Sequence, residues 1–182
     1  LTLIEAYINE EPLDRKGILL FLDMEKAFDR VSYKFTIEGL KAIGFDGKFM
    51  RWIQMMYDEN KAPKRRIYVN GYCSDWFSIT SGVAQGCPIS PLLFLVVAEA
   101  LRNSLLMEPR LKGITINDTV HLISQFADDT TLMLGHKKEI KYVNRALKRW
   151  CKATGMRENA TKREGVKMGQ YRYQNINAPG VK

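Results

Sequence analysis

Two strand-length apolar runs in this chain end on carboxylates, and that juxtaposition limits the fold more than any other feature. Residues 17–23 read GILLFLD and residues 125–132 read QFADDTTL. The first run is short, and its flanks suggest a buried strand rather than a helix. The second sets Ala127-Asp128-Asp129 between Val120–Phe126 and Thr130–Leu134, which both read as strands. A carboxylate held against apolar residues loses hydration, which costs several kcal/mol unless something compensates. A divalent cation is one compensation, because Mg²⁺ takes oxygen ligands and is shared between one or two carboxylates and substrate phosphates. Two such ions about 4 Å apart can activate a 3′-hydroxyl and stabilise a leaving pyrophosphate. An ordinary acidic hairpin turn, with Asp23 starting a helix, would use the same residues. Spacing alone leaves both readings open.

The rest of the pattern alternates between helix and strand. Phe35, Ile37, Leu40 and Ile43 recur at helical spacing from Ser32, with Gly44 as a stop. Asp46 can cap a second helix with Phe49, Trp52, Ile53 and Met56 on one face. Arg66–Val69 and Trp76–Thr80 read as strands joined around Asn70-Gly71, a hairpin signal. Pro91 suits the first turn of a helix running to about Met107. Ile114–Ile116 is a short strand turning at Asn117-Asp118. Lys137–Ala153 is an amphipathic helix with Ile140, Val143, Leu147 and Trp150 inward and Gly155 at its end. Val166–Met168 is a last strand, and residues 171–182 read as a frayed tail. The order predicts one α+β domain with helices on one face of an antiparallel sheet.

Composition narrows the function class. The longest apolar run is Leu92–Ala98, ended by Glu99, so no segment reads as a bilayer span. The chain opens without Met and without a basic start leading into an apolar stretch, so it reads as an intracellular, nuclear or cytoplasmic piece of something longer, not a secreted protein. Cys73, Cys87 and Cys151 are odd in number and far apart, and with only His121 and His136 beside them neither a disulfide framework nor a zinc site is expected. A reducing compartment is the default. The net charge of +8 is uneven: residues 137–182 hold 13 Lys and Arg against 3 acids, while the first 136 residues hold 15 against 17. A basic segment of that kind favours a polyanionic partner, although a solvated lysine-rich helix face has the same composition.

Four strings in order carry a family resemblance: FLDMEKAFDRV (21–31), SGVAQGCPISPLLF (81–94), QFADDTTL (125–132) and GMRENATK (155–162). They resemble successive palm motifs of reverse transcriptases, most of all those of non-LTR, LINE-type retrotransposons. The resemblance covers residues 17–170 and implies a polymerase palm-like antiparallel sheet. It also implies that residues 1–170 are a partial reverse transcriptase domain, with fingers and thumb largely missing. The implied activity is RNA-directed DNA polymerisation by two-metal nucleotidyl transfer from a dNTP to a primer 3′-hydroxyl. The implied cofactors are two Mg²⁺ ions, for which Mn²⁺ could substitute. The implied partners are an RNA template, a DNA primer and dNTP.

The same resemblance assigns roles. Asp23 and Asp128 would be the main metal ligands and Asp129 the second acid of the doublet, close to the primer end. The backbone carbonyl of Met24 would complete a metal shell. Phe28 would lie under the incoming sugar, where a ring clashes with a 2′-hydroxyl. Gln85 and Gly86 would contact the incoming nucleotide, and glycine does allow close approach. Lys162 would donate a proton to pyrophosphate, with Asn159 organising its loop. Ser90 reads as a helix cap, and Ala127 as a small residue leaving room beside the primer. A lysine among lysines, a core phenylalanine and a Gly-Pro loop entering a helix are the ordinary alternatives for Lys162, Phe28 and Gly86.

The resemblance has gaps. No basic fingers segment is recognisable before residue 17, and Lys64, Arg65 and Arg66 fall between the first two motifs. Ser81 stands where a basic residue is frequent in the family. This polypeptide alone is therefore expected to be inactive. The rival reading is a non-catalytic RNA-binding remnant or maturase-like fragment, against which the three intact aspartates argue. A nucleotidyl cyclase with a similar palm fits AQGCPISP and FADD less well.

Overall fold

The computed structural model describes residues 16–58, 64–116 and 118–176. In chain order these form β1 (Lys16–Leu22), α1 (Tyr33–Ala42), α2 (Gly47–Tyr57) and four two-residue strands, β2 (Lys64–Arg65), β3 (Tyr68–Val69), β4 (Tyr72–Cys73) and β5 (Phe77–Ser78). Then come α3 (Ser90–Leu106), β6 (Ile114–Ile116), β7 (Thr119–His121), β8 (Ile123–Phe126), β9 (Asp129–Leu134), α4 (Glu139–Thr154) and β10 (Glu164–Gly169). Short 3-10 turns lie at Ala27–Asp29 and Gln170–Tyr173. No helix of the described residues is long and apolar enough to cross a membrane.

The main sheet is antiparallel, ordered β10-β1-β9-β8. β1 is interior, and its residues sort onto two faces as a pleated strand requires. Ile18, Leu20 and Leu22 join Leu132, Leu134 and the buried sides of α1, α3 and α4 in the larger core. Leu19 faces the other way, with Met133, Met168, Ile114 and Ile116. Helices therefore cover one face, as expected, and the β6–β7 hairpin covers only part of the opposite face. The remainder of that face is open, with Phe21 and Val166 exposed.

Helix starts and stops follow local chemistry. The Ser32 hydroxyl accepts from the Phe35 N–H at 3.3 Å and caps α1, leaving one fewer orphan donor. Pro91 occupies the first turn of α3, and Gly155, at φ +77°, ends α4. Ile140, Val143, Leu147 and Trp150 are buried as their spacing predicts, and the Trp150 indole N–H donates to the Val97 carbonyl at 3.0 Å.

Several expectations need correction. Asp46 precedes α2 but makes no side-chain cap bond, and Trp52 is 62% exposed because Met50, Ile53 and Tyr57 form the buried stripe. Val120–Phe126 is not one strand. Leu122 is the buried crossing point where the chain leaves the β6–β7 hairpin for the main sheet. Ser90 does not cap α3; its hydroxyl donates to the Ala84 carbonyl at 2.6 Å and ties down the preceding loop. The start of the expected frayed tail is packed, since Tyr171 is 2% exposed in the larger core and its hydroxyl accepts from the Lys137 N–H. Residues 177–182, and Asn117 of the expected turn, lie outside the described residues.

Candidate active site

Register brings the acidic residues to one end of the sheet. Leu22 pairs with Thr130, so Asp23 leaves β1 at the level where β9 begins with Asp129. Phe126 pairs with Asp129 across a two-residue turn, Ala127-Asp128, in which Ala127 holds φ +52°. A non-glycine residue there is strained by an amount on the order of 1 kcal/mol, and such strain clusters at functional sites. Thr130, Leu132 and Leu134 point into the helix-side core, so alternation sets Asp129 on the open face with Thr131 and Met133.

The fourth motif is strapped to the backbone that carries Asp23. The Asn159 N–H donates to the Asp23 carbonyl at 2.9 Å, and the Glu25 N–H donates to the Arg157 carbonyl at 2.8 Å. Met24 faces Glu158 between those bonds, so its own N–H and C=O point away from residues 157–159. Asn159 also accepts from the Thr161 hydroxyl at 2.7 Å, and its carbonyl accepts from the Lys162 N–H. That folded loop holds the Lys162 ammonium 3.6 Å from an Asp23 carboxylate oxygen. Beneath it, buried Arg163 grips Glu158 through two bonds of 2.5 and 2.7 Å and reaches Asn144 on α4 at 2.8 Å. The ion pair anchors the motif to the helix layer.

The second motif is strapped to the other side of the same turn. The Val83 N–H donates to the Phe28 carbonyl at 2.7 Å, the Gly82 N–H to the Val31 carbonyl at 2.8 Å, and the Ser81 hydroxyl to the Asp29 carbonyl at 3.1 Å. Gly82 must be glycine: its φ is +88°, and a Cβ would sit 2.7 Å from the Asp29 backbone. Gln85 is exposed, and its amide donates to the Asp29 carboxylate at 3.4 Å. Gly86 at φ +80° faces open space, so its backbone stays accessible to a ligand. Phe28 stacks on Phe94 with ring centroids 4.8 Å apart, half-buried at the edge of the core. Two groups thus form on one connected turn, Asp23, Met24 and Lys162 beside Asp128-Asp129, and Phe28, Gln85 and Gly86.

Other predicted features fall elsewhere. Arg30, from the first motif string, pairs with Glu25 at 3.4 Å. The His136 ring nitrogen accepts from the Lys138 N–H and packs edge-on to Tyr171. Five of the 13 cations of the last segment, Lys141, Arg145, Lys148, Arg149 and Lys152, are exposed on the outer side of α4, on the helix-covered side of the sheet. Lys162, from the same segment, instead reaches Asp23 at the end of the sheet. Sequence reasoning missed the Arg163–Glu158 anchor; GMRENATKRE carries both residues, five apart, in a lysine-rich stretch where pairing is not legible.

A sequence model of the reverse transcriptase (RNA-dependent DNA polymerase) family matches residues 5–178. The transposon TX1 149 kDa protein of Xenopus laevis is 28% identical over 152 residues, 82% of this chain and 11% of that protein. The Pol polyprotein of type-2 retrotransposable element R2DM of Drosophila melanogaster is 32% identical over 111 residues, 61% of this chain and 10% of that protein. A Pol polyprotein of the type-1 element R2 of Popillia japonica is 32% identical over 132 residues, 72% of this chain and 18% of that protein. The chain therefore spans less than a fifth of the length of these curated relatives. Telomerase from Candida tropicalis, solved with a TWJ fragment of telomeric RNA, superposes with a TM-score of 0.66 at 13% identity, over 91% of this chain and 28% of its own. Apo telomerase from the same organism gives a TM-score of 0.65 at 13% identity, over 96% of this chain and 32% of its own. That likeness is one of fold, and together with the family match it means that the chain belongs to the reverse transcriptase family, in the company of the Pol proteins of non-LTR retrotransposons.

Proposed function

We propose that this chain is the metal-binding palm core of an RNA-directed DNA polymerase, which joins a dNTP to a primer 3′-hydroxyl on an RNA template. The observation that carries the proposal is the convergence of Asp23, Asp128 and Asp129 at one end of an open sheet face, with Lys162 reaching Asp23. The donor set fits Mg²⁺. Among the described residues no three His, Cys, Asp or Glu side chains form a ready-made cage, and Mg²⁺ does not require one, because it binds through one or two carboxylates plus substrate phosphates and water. Asp23 and Asp128 would hold two Mg²⁺ ions, or Mn²⁺, with the Met24 carbonyl as a further oxygen ligand and Asp129 beside the primer end. When bound, such ions lower the pKa of the attacking hydroxyl and neutralise the charge that develops on the leaving pyrophosphate.

The chain's own residues would position the reactants. Lys162 neutralises Asp23 and, on a loop fixed to the same backbone, can hand a proton to the departing pyrophosphate. Gln85 and the Gly86 backbone face solvent beside the turn and would contact the incoming nucleotide. Phe28, held by Phe94, would present a fixed ring below its sugar and disfavour a 2′-hydroxyl. Asp128→Asn should abolish Mg²⁺-dependent primer extension in a polypeptide that joins these residues to their neighbouring coding sequence. Residues 1–182 alone are expected not to extend primers, because a misplacement of about 1 Å costs roughly 100-fold and the triphosphate and duplex need contacts beyond this core. RNA binding without extension in the longer polypeptide would favour the non-catalytic remnant instead.

A further inference from the structure

Residues 64–78 form an arm with no core of its own. Its base is the β2–β5 ladder, Lys64↔Ser78 and Arg65↔Phe77, and its tip is the β3–β4 ladder, Tyr68↔Cys73 and Val69↔Tyr72. Between the ladders the outgoing strand has two residues and the returning strand three, so the arm contains a bulge. Ser74 pins it: its N–H donates to the Ile67 carbonyl and its hydroxyl accepts from the Ile67 N–H, both at 2.9 Å. The tip turn, Asn70-Gly71, holds φ +49° and +84°, as a tight two-residue hairpin needs.

The two sides of the arm differ. Alternation sets Lys64, Arg66 and Tyr68 on one side, and the Arg66 guanidinium lies 4.9 Å from the Trp76 ring centre, so Trp76 shares that side. Arg65 belongs to the other side. Arg65 is half-buried whereas Lys64, Arg66 and Tyr68 are exposed, so at its base the arm turns the Arg65 side toward the protein body. Nearer the tip that side opens too, with Tyr72 81% exposed. The outward side keeps Tyr68 70% and Trp76 60% exposed. Asp75 is the one acid in residues 64–78. Cations interleaved with open rings, with a single acid among them, suit a ligand of stacked bases and phosphates.

We propose that the outward side of this arm binds single-stranded nucleic acid, with bases stacked on Tyr68 and Trp76 and phosphates against Lys64 and Arg66. The proposal rests on the polymerase reading only for the source of the strand, which would be unpaired template. The test is the anisotropy of short labelled RNA, the matching DNA and a blunt RNA–DNA hybrid, titrated with the full 182-residue chain. Tyr68→Ala and Trp76→Ala should each weaken single-strand binding about tenfold and leave hybrid binding unchanged. Tyr68→Phe should restore it, because stacking uses the ring. Arg66→Gln should lower the slope of log K against log salt by about one. Tighter binding of RNA than DNA would point to template, and equal binding to a platform blind to the sugar; both keep the platform. Unchanged single-strand affinity in the alanine variants would overturn it, as would a loss of thermal stability without a loss of affinity, which would mean that the rings pack on protein. If Asp128→Asn stops extension while the arm variants bind normally, only the arm proposal fails. If the arm variants lose binding while Asp128→Asn still extends, only the polymerase proposal fails.

Discussion

The turn at residues 23–31 and the arm at residues 64–78 both carry charge at the surface, but their backbones are held in opposite ways. The turn is bonded on two flanks, to residues 157–159 on one side and to residues 81–83 on the other. Beneath it lie a stacked Phe28–Phe94 pair and the buried Arg163–Glu158 ion pair. The arm is knit together by two short ladders and Ser74, and it leaves its large rings in solvent. The contrast matches the two tasks proposed for them. Nucleotidyl transfer needs its groups fixed to a fraction of an ångström. Stacking on unpaired bases tolerates any sequence and needs only open rings beside cations.

If that contrast is right, substitutions should sort by region into losses of chemistry, losses of stability and losses of binding. The largest effect belongs to Asp128→Asn in an extension-competent polypeptide, where the rate should fall by about 10³-fold or more, matching several kcal/mol of lost charge stabilisation. Its unfolding midpoint in urea should not move. Next comes Arg163→Ala, which strands Glu158 beside Met24 and should cost about 3–5 kcal/mol of stability by urea denaturation. Tyr68→Ala in the arm should change stability by less than about 0.5 kcal/mol in the same assay. Equal losses at the two sites would break the comparison. Gly82→Ala forces a Cβ into the Asp29 backbone at positive φ and should cost about 1–3 kcal/mol, read as a lower melting temperature with extension falling in parallel.

The smallest effect is in thiol chemistry. Burial pushes the Cys151 thiol up; a hydrogen bond with the Glu158 backbone opposes the rise and the Glu158 charge adds to it, so less thiolate is present at a given pH. Exposed Cys73 should therefore be alkylated by iodoacetamide well before Cys151. In Arg163→Ala the order should narrow as the Glu158 region loosens. Unchanged rates there would mean that the anchor does not brace this end of α4.

Much of the fold was legible because it is written in side-chain periodicity. β1 and α4 follow alternation and the 3.6-residue stripe and lie where their patterns place them. The β8–β9 hairpin turns at the expected acidic residues, although β8 is shorter than the pattern suggests and Asp129 belongs to β9. The motif strings were legible for the same reason, since residue types at fixed spacing survive in the primary sequence. What the sequence hid is carried by backbone bonds and by competition for burial. Nothing in GMRENATK announces that the Asn159 N–H will find the Asp23 carbonyl, because every residue but proline has that donor. Trp52 and Met50 both fit an apolar stripe, and only the packing of α2 against its neighbours selects Met50. Ser90 has a capping residue's chemistry, but the Ala84 carbonyl competes successfully for its hydroxyl. Tyr171 sits among polar residues in a sequence that reads as frayed, yet its ring is needed to close the larger core. The outward side of the arm was hidden too, since the bulge between its ladders decides which side Trp76 joins.

The central claim, that Asp23 and Asp128 hold one divalent-metal site, can be tested on the 182-residue chain without any catalysis. Fe²⁺ supplied in place of Mg²⁺, with ascorbate and peroxide, generates hydroxyl radicals that cut the backbone next to the bound ion. Cuts should cluster at Asp23–Met24 and at Asp128–Asp129, fade as Mg²⁺ is added, and disappear together from both segments in Asp128→Asn. Cleavage confined to other segments, or cutting at Asp23 that persists undiminished in Asp128→Asn, would contradict a shared site.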